Sequence, residues 1–511
     1  MSYIWMGSPG NFSTDPTVTN NETGGDSRLE NLNRWYTKGD PAYIIVCSAM
    51  VLLMVPGLGF LYSGLARRKS ALSLIWACIG SSAIVTFQWY LWGYSLAFSR
   101  TATNGFIGDL HHAFLLNTLG VPSPSPLVAE ILFSFYQMQF AAVTVAIVMG
   151  AIAERGRVLP AMVFAFVWTT LVYCPIACWA WNPNGWAFGY GVLDYAGGGP
   201  VEIASGVGAL AYSLVLGKRQ EKMLLNFRPH NVSLITLGTI LLWFGWLGFN
   251  GGSSYGANLR AVVACWNTNL TAIFSGATWV LLDFRLAKKW SMVGLCSGLI
   301  SGLVAATPAS GFIMPHASIL LGVVTGVVCN YGTKVKYLVR IDDAMDVFAE
   351  HGIAGMVGLI FNALFGADYI IGLDGVNASY TGGFVNKKWK QLYIQLAYIV
   401  ACIAYTFVMT TLICFVINAI PGLKLRASEQ AELLGMDDDQ LGEFAYDYVE
   451  VRRDYLAWTP AKEHHDGHTP VTAGDRHGIA AHSQMIEGHQ PQHSEPPSEM
   501  VGLEGEKSKK Q

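Results

Sequence analysis

The feature that most restricts the fold of this chain is a series of eleven apolar stretches, each long enough to cross a lipid bilayer. A transmembrane α-helix needs about 20 consecutive, mainly apolar residues, because the hydrocarbon layer offers the backbone no other hydrogen-bond partners. We therefore predict an all-α integral membrane protein with eleven transmembrane helices. The predicted spans are 41–66, 70–99, 127–153, 158–180, 197–217, 231–250, 260–282, 289–308, 312–333, 346–366 and 391–420.

The scarcity of charge agrees with this class and argues against a soluble enzyme. Asp, Glu, Lys and Arg make up 13% of the 511 residues, whereas an ordinary soluble domain carries about 25%. A net charge of -3 leaves no polybasic surface for nucleic acid. The nine cysteines lie in or beside apolar stretches, which is typical of small core residues. We expect no metal site, no cofactor and no enzymatic activity, since neither a nucleophile–base arrangement nor a cofactor-binding loop is present.

The distribution of Lys and Arg between the loops predicts the orientation in the membrane. One set of alternate loops carries 15 of these residues and the opposite set carries 5. Positively charged loops stay in the cytosol, and an odd number of spans places the two termini on opposite sides. The N-terminus is therefore predicted outside and the C-terminus in the cytosol. The cluster Lys387, Lys388 and Lys390 is a local exception.

Polar segments at the two ends of the chain set the predicted domain boundaries. Acceptor sequons at Asn11 and Asn21 lie in the N-terminal segment, so we expect glycosylation there if that segment is outside. Seven of the 12 histidines lie between His464 and His493, amid Pro, Gly, Ser and Glu, a composition that favours a disordered tail over a metal site. The predicted regions are an extracellular segment (1–40), a transmembrane domain (41–421), a cytosolic regulatory region (422–460) and a His-rich cytosolic tail (461–511).

Two ionisable residues within the apolar spans are the first candidates for a functional site. Glu202 lies in the fifth span and His351 at the start of the tenth. A charge inside a bilayer costs at least a few kcal/mol, so such residues are functional hypotheses by default. The alternative is structural, since a Glu or a His can also hold helices together by hydrogen bonds. For Asp346 and Glu350, which precede His351, we expect packing or capping roles.

The surroundings of these two residues share a pattern that indicates an internal repeat. Each has an Asp eight residues before it (Asp194, Asp343) and a Gly four residues after it (Gly206, Gly355). A weaker similarity relates Leu58-Gly59-Phe60 in the first span to Leu247-Gly248-Phe249 in the sixth. Repeats of five helices are inverted in the membrane, and their interface lies near its midplane. We predict two inverted five-helix repeats plus a final helix, with Glu202 facing His351.

Aromatic residues near the predicted outer ends of the spans are candidates for a cation site. Phe140, Trp181, Trp246 and Phe249 lie in spans predicted to be neighbours, beside Ser253. A cation over aromatic faces gains roughly 0.5 to 2 kcal/mol, and a hydroxyl can accept one of its protons. The alternative is an ordinary belt of aromatic residues at the membrane interface.

Six sequence motifs together resemble the Amt/Mep/Rh ammonium transporter family, and the polar tails resemble its fungal Mep branch. The resemblance runs in order from about residue 40 to residue 420. The motifs are Val55-Pro-Gly-Leu-Gly-Phe-Leu-Tyr-Ser-Gly-Leu65, Gln137-Met-Gln-Phe-Ala-Ala142, Gly150-Ala-Ile-Ala-Glu-Arg155, Asp194-Tyr-Ala-Gly-Gly198, Trp243-Phe-Gly-Trp-Leu-Gly-Phe-Asn250 and Asp346-Val-Phe-Ala-Glu-His-Gly352.

This resemblance implies a trimer with one pore per subunit and assigns roles to individual residues. Trp181, Ser253 and Phe140 fall at the outer site that recruits ammonium, and Asp194 at the aspartate that supports recruitment and deprotonation. Phe140 and Phe249 fall at the stacked phenylalanines that close the pore. Trp246 and Tyr136 are expected to support this site.

One departure from the family pattern concerns the pore itself. The family usually places two hydrogen-bonded histidines there; His351 matches the second, whereas the first position holds Glu202. A glutamate at this position resembles one fungal subgroup, associated with lower affinity and higher capacity. We expect Glu202 and His351 to relay the proton that ammonium loses on entering the dry pore, with coupled titrations.

The function predicted from these residues is ammonium uptake across the plasma membrane. The expected partners are ammonium or ammonia, a proton, the lipid bilayer and two further subunits, identical or related. The segment 433–446 resembles the family's C-terminal region, which docks under the pores and controls opening; it is thus a target for cytosolic regulators. Two alternatives remain: an ammonium sensor with little flux, and an electroneutral channel of the Rh kind that passes ammonia or carbon dioxide.

Overall fold

The computed structural model describes residues 36–120, 123–224 and 228–446, and its regular structure in these ranges is helical, without strands. Eleven helices are long and apolar enough to span a membrane, which confirms the predicted number. We label them α1 to α11. Their bounds are Gly39–Leu65, Arg68–Phe98, Glu130–Ile152, Val158–Tyr190, Gly198–Leu216, Val232–Ser254, Leu259–Ala287, Met292–Ala309, Pro315–Leu338, Phe348–Phe365 and Lys390–Ala419.

Most of the helix ends lie within a few residues of the predicted ones, and α4 differs most. The prediction ends this span at residue 180, whereas α4 extends to Tyr190. The continuous helix ends at Trp181, and a separate helical turn, Trp186–Tyr190, follows. The sequence remains apolar beyond the bend in α4. Composition alone therefore does not predict the position of the bend.

Several spans are interrupted where proline removes a backbone donor. In α1, the helix breaks between Leu52 and Met54, because Pro56 has no N–H for the carbonyl one turn earlier. In α4, a wider turn with π geometry at Thr169–Tyr173 precedes Pro175. The carbonyl of Leu171, one turn before Pro175, accepts a hydrogen bond from the hydroxyl of Tyr405 in α11 at 2.7 Å, so a neighbouring helix satisfies the freed group.

Small residues bring α1 and α6 into close contact. A Cβ atom on Gly64 would lie 2.7 Å from the carbonyl oxygen of Asn231, and one on Gly238 would lie 2.5 Å from the backbone nitrogen of Leu61. Glycine at these positions lets the two backbones approach, which is the usual role of small residues between membrane helices.

The predicted equivalence of the first and sixth spans, and of the fifth and tenth, agrees with the observed packing. Helix α1 packs against α6, and α5 packs against α10. In addition, α5 and α10 both start with a π-helical segment, at Gly198–Ile203 and at Phe348–Ile353. A two-fold axis in the membrane plane that relates the two repeats brings equivalent helices into contact with each other.

Two short helices follow the last span: α12 (Glu429–Leu434) and α13 (Met436–Leu441). Asp437 of α13 accepts hydrogen bonds from the backbone N–H groups of Leu72 and Ser73, at 3.0 and 2.8 Å, at the start of α2. The predicted glycosylation sites Asn11 and Asn21 and the His-rich tail lie outside the described residues. The domain boundaries stay predictions.

Candidate functional site

The side chains predicted to form the outer site gather where α3, α4 and α6 meet. We call this end of the bundle the outer end and the opposite one, with Arg67 and Arg219, the inner end. The ring centroids of Phe140 and Trp181 are 6.0 Å apart and nearly perpendicular, at 86°. Ser253 is buried, and its hydroxyl donates to the carbonyl of Phe249 at 2.8 Å. Aromatic rings and a hydroxyl thus occur together, as a cation site requires.

Phe140 and Phe249 stack on each other next to this site. Their ring centroids are 3.8 Å apart and their planes are inclined by 22°. The hydroxyl of Tyr136 donates to the carbonyl of Phe249 at 2.6 Å, and the indole N–H of Trp246 donates to Thr307 at 2.8 Å. Both contacts hold α6 in place relative to α3 and α8. The stacked rings form an apolar pair next to the outer site, and their role as a pore gate stays a prediction.

Asp194 caps the start of α5 behind Trp181. Its carboxylate accepts hydrogen bonds from the backbone N–H groups of Gly197, Gly198 and Gly199, at 3.0, 2.6 and 2.8 Å. The hydroxyl of Tyr398 donates to the same carboxylate at 3.1 Å. This geometry explains the aspartate as a helix cap. It also places a buried negative group close to the outer aromatic residues, so capping and electrostatic support are compatible.

Asp343 occupies the equivalent position before α10. One of its carboxylate oxygens accepts a hydrogen bond from the backbone N–H of Phe348 at 2.9 Å. The capping role that the sequence suggested for Asp346 or Glu350 therefore belongs to Asp343. Asp346 instead forms an ion pair with Lys336, at 2.7 Å.

Glu202 and His351 are in direct contact in the middle of the bundle. The Nδ1 atom of His351 lies 2.9 Å from Oε2 of Glu202, and both residues are buried, at 3% and 0% exposure. The second carboxylate oxygen of Glu202, Oε1, is buried without a hydrogen-bond partner among the described residues. The two ionisable groups are therefore close enough to exchange a proton. Their role in transport stays a prediction.

The two glycines of the repeated pattern make this contact possible. A Cβ atom on Gly206 would lie 2.2 Å from the backbone nitrogen of Gly352, and one on Gly355 would lie 2.7 Å from the Cβ of Glu202. Any larger side chain would push α5 and α10 apart. The repeated spacing of Asp and Gly around Glu202 and His351 thus has the same physical reason in both repeats. The aspartate caps the helix, and the glycine lets the other helix approach.

A network of buried charges ties the inner ends of the spans together. The carboxylate of Glu154 accepts from Arg67 at 2.9 Å and from Arg219 at 2.6 Å. Arg219 also pairs with Asp342 at 2.9 Å, and Arg155 donates to the Asp342 carbonyl at 2.7 Å. Burial alone would raise the pKa of Asp342, but its bonds to Arg219 and the charge of Arg155 lower it to about 2. This carboxylate is therefore ionised at any physiological pH.

A cavity of about 920 Å³ opens beside this network at the inner end. It lies at the ends of α1 and α5 and at the start of α8, next to the segment that precedes α10. Burial and the nearby Asp343 carboxylate raise the pKa of Asp346 to about 6, in spite of Lys336. The side chains that line the cavity include Leu65, Arg219, Val293, Lys336, Ala344 and Asp346.

Some residues of the site had no role in the sequence analysis. Tyr398 and Thr307 hold Asp194 and Trp246 from the distant helices α11 and α8. Thr307 is a polar residue next to Pro308 in an apolar span, which was a weak signal in the sequence. Nothing in the sequence around Tyr398 distinguishes that residue. Within the described ranges, no three His, Cys, Asp or Glu side chains are grouped so that they could hold a metal ion.

Comparisons with known proteins agree with this geometry. The chain matches the Ammonium Transporter Family over residues 42–446. Ammonium transporter MEP1 of Saccharomyces cerevisiae is 58% identical over 418 residues, which cover 82% of this chain and 85% of that protein. MEP3 of the same yeast is 57% identical, over 83% of this chain and 86% of that protein.

A solved structure is similar as well. The crystal structure of Saccharomyces cerevisiae Mep2 has a TM-score of 0.76 and 46% identity, and the match covers 84% of this chain and 97% of that one. The extent of these matches, together with the eleven helices and the buried site between them, shows that the chain belongs to the Ammonium Transporter Family.

Proposed function

We propose that the chain takes up ammonium across the plasma membrane by removing its proton at the outer site and carrying proton and ammonia inward separately. The observation that best supports this proposal is the 2.9 Å contact between Glu202 and His351, inside the bundle that also contains the Phe140–Phe249 stack. Desolvation disfavours the charged form of a basic group, so ammonium that loses its water beside Trp181 tends to release a proton. Neutral ammonia then passes the stacked rings at lower cost.

The proton needs its own route if transport is electrogenic. Glu202 and His351 supply two groups in direct contact that can gain and lose a proton without moving far. The glutamate also places a carboxyl group where the family usually has the first of its two histidines. We propose that this substitution favours high capacity at the expense of affinity.

The proposed assembly and orientation follow the family resemblance and the positive loops. The outer end faces the extracellular side, and the network around Glu154 faces the cytosol. Three subunits, identical or related, form the functional unit, each with its own pore. Asn11 and Asn21 are the proposed glycosylation sites.

The decisive experiment compares uptake and current in membranes that contain only the purified protein. We expect an inward current evoked by ammonium, accompanied by uptake of nitrogen-15-labelled ammonium. Uptake without current would overturn the electrogenic mechanism and favour passage of neutral ammonia. Tight binding without measurable uptake would favour a sensor.

We further propose that the C-terminal segment 422–446 controls the pore from below. Arg67, in the loop after α1, donates to the carbonyl of Glu432 at 2.7 Å, and the carboxylate of Glu432 pairs with Arg426 at 2.5 Å. Asp437 caps the start of α2. These contacts connect the segment to the helix ends that surround the inner cavity, and cytosolic regulators would act by releasing them.

Asp437→Ala should lower ammonium uptake about fivefold, because the lost cap contributes about 1 kcal/mol to the docked arrangement. Deletion of the residues after Gly422 should have at least the same effect without preventing trimer assembly. Uptake in cells at equal surface expression measures both. The matched control is Asp438→Ala, since Asp438 is the exposed neighbour; full activity of the deletion variant would contradict control by docking.

A further inference from the structure

Glu350 is an ionisable side chain inside a membrane span for which the mechanism above has no use. It is 8% exposed, and its carboxylate is within hydrogen-bond reach of Ser297. Among the described residues it forms no ion pair, and the cap of α10 is supplied by Asp343. A carboxylate in this environment is costly, and packing alone would be served better by an apolar residue of similar size.

The position of Glu350 lies between the inner cavity and the Glu202–His351 pair. Asp346 and Val293 line the cavity. Glu350 follows Asp346 by four residues, and its backbone N–H donates to the Asp346 carbonyl at 3.0 Å. Ser297 likewise follows Val293 by four residues in α8, which is about one helical turn. Glu350 and Ser297 therefore both lie about one turn deeper than the cavity wall.

His351 is the next residue in the chain, and its imidazole contacts Glu202. Ser297, beside Glu350, is partly exposed. Ionisable groups thus follow one another from the middle of the bundle toward the inner end: first Glu202 with His351, then Glu350, then Asp346.

The charges around Glu350 favour a shared proton. Three carboxylates, those of Asp343, Asp346 and Glu350, lie near Lys336, which is already paired with Asp346. Arg155 and Arg219 act on Asp343 and Asp346 as well, but both arginines are paired with Asp342. Like charges that are buried together cannot all stay ionised at low cost. In the part of the chain that the structure describes, the other elements packed against Glu350 place ionisable or polar groups but no cation beside it: Tyr62 of α1, Cys296 and Ser297 of α8, and Cys329 of α9.

We propose that Glu350 is the inner proton acceptor of the pore. The proton leaves the imidazolium of His351 and binds the carboxylate of Glu350, which leaves a neutral imidazole and a neutral carboxylic acid. The acid then releases the proton to the cavity by way of Asp346, and the Glu350 carboxylate is restored. The inference rests on the proposed proton relay and extends it to the cytosolic side.

The test uses the full-length protein with Glu350→Gln, which keeps the size and hydrogen-bonding capacity of the side chain but cannot titrate. We expect the ammonium-evoked current to fall about tenfold or more, as for removal of a positioned proton acceptor, while uptake of labelled ammonium falls much less. Glu221→Gln is the matched control, since Glu221 lines the same cavity but lies on an exposed helix; it should keep the wild-type current.

A second measurement varies the pH on the inner face of excised membrane patches. The wild-type current should fall as the inner pH drops through about 6, the pKa of Asp346, because Asp346 then stays protonated and cannot take up the proton that Glu350 releases. Glu350→Asp should retain this dependence and Glu350→Gln should lose it. If Glu350→Gln does not fold, the wild-type profile and Glu350→Asp decide the question.

The outcomes separate this inference from the relay itself. A wild-type protein without current would defeat the relay and the inner acceptor together. A current that depends on Glu202 and His351 but is unchanged in Glu350→Gln, with the same response to inner pH, would overturn the role of Glu350 alone.

Discussion

Glu202→Gln should lower the ammonium-evoked current at least about tenfold, because general acid–base groups that move protons typically contribute at least that much. The amide has nearly the same shape and can still bond to Nδ1 of His351, which Glu202 contacts at 2.9 Å. It cannot gain or lose a proton, however. The pore should keep its structure, and the dependence of the current on pH should flatten. Current and uptake of labelled ammonium are measured in parallel.

Combination with His351→Ala provides the control for this result. If the two residues act as a unit, the double variant should be no worse than the more damaging single variant, since effects within one unit are not additive. If the fold losses of current in the two single variants multiply in the double variant, the two residues have separate roles. An unchanged current and pH profile in Glu202→Gln at normal expression would remove Glu202 from the relay.

Gly206→Ala should reduce transport about a hundredfold, the loss expected when reacting groups are displaced by about 1 Å. The new methyl group would lie 2.2 Å from the backbone nitrogen of Gly352 and 2.6 Å from its Cα. Backbone cannot rotate out of the way as a side chain can, so α5 and α10 must separate. Such overpacking costs about 1 to 3 kcal/mol, and it should lengthen the Glu202–His351 contact. Uptake is compared with the thermal unfolding temperature of the purified variant.

Gly189→Ala is the matched control for this substitution. A Cβ atom on Gly189 meets nothing within 4 Å, so the same chemical change should leave uptake and unfolding temperature close to those of the wild type. If Gly206→Ala transports normally, the close approach of α5 and α10 is not required for the pore pair.

Much of the architecture was accessible from the sequence because membrane spans are local features. Each needs about 20 apolar residues in a row, and the eleven predicted stretches correspond to the eleven helices. The prediction that the chain is no enzyme is confirmed by its membership of a transporter family. Bends, such as the one after Trp181 in α4, escaped prediction because they depend on packing.

The candidate site could be predicted only in part. Glu202 and His351 stand out in the sequence because ionisable residues are rare in membrane spans, and the aspartates and glycines around them repeat. The reason for the repeat required the structure: Asp194 and Asp343 cap helices, and Gly206 admits the backbone of Gly352. Tyr398, which bonds to Asp194, carries no local signal.

The sequence by itself therefore determined that this protein folds in a lipid bilayer, how many spans it has and to which family it belongs. Those properties depend on runs of neighbouring residues and on short motifs. Only the tertiary structure decided which ionisable groups meet, because Glu202 and His351 are 149 residues apart and their contact requires two helices to approach through glycine. The same packing placed Glu350 about one turn from the inner cavity, where we propose that its carboxylate receives the proton.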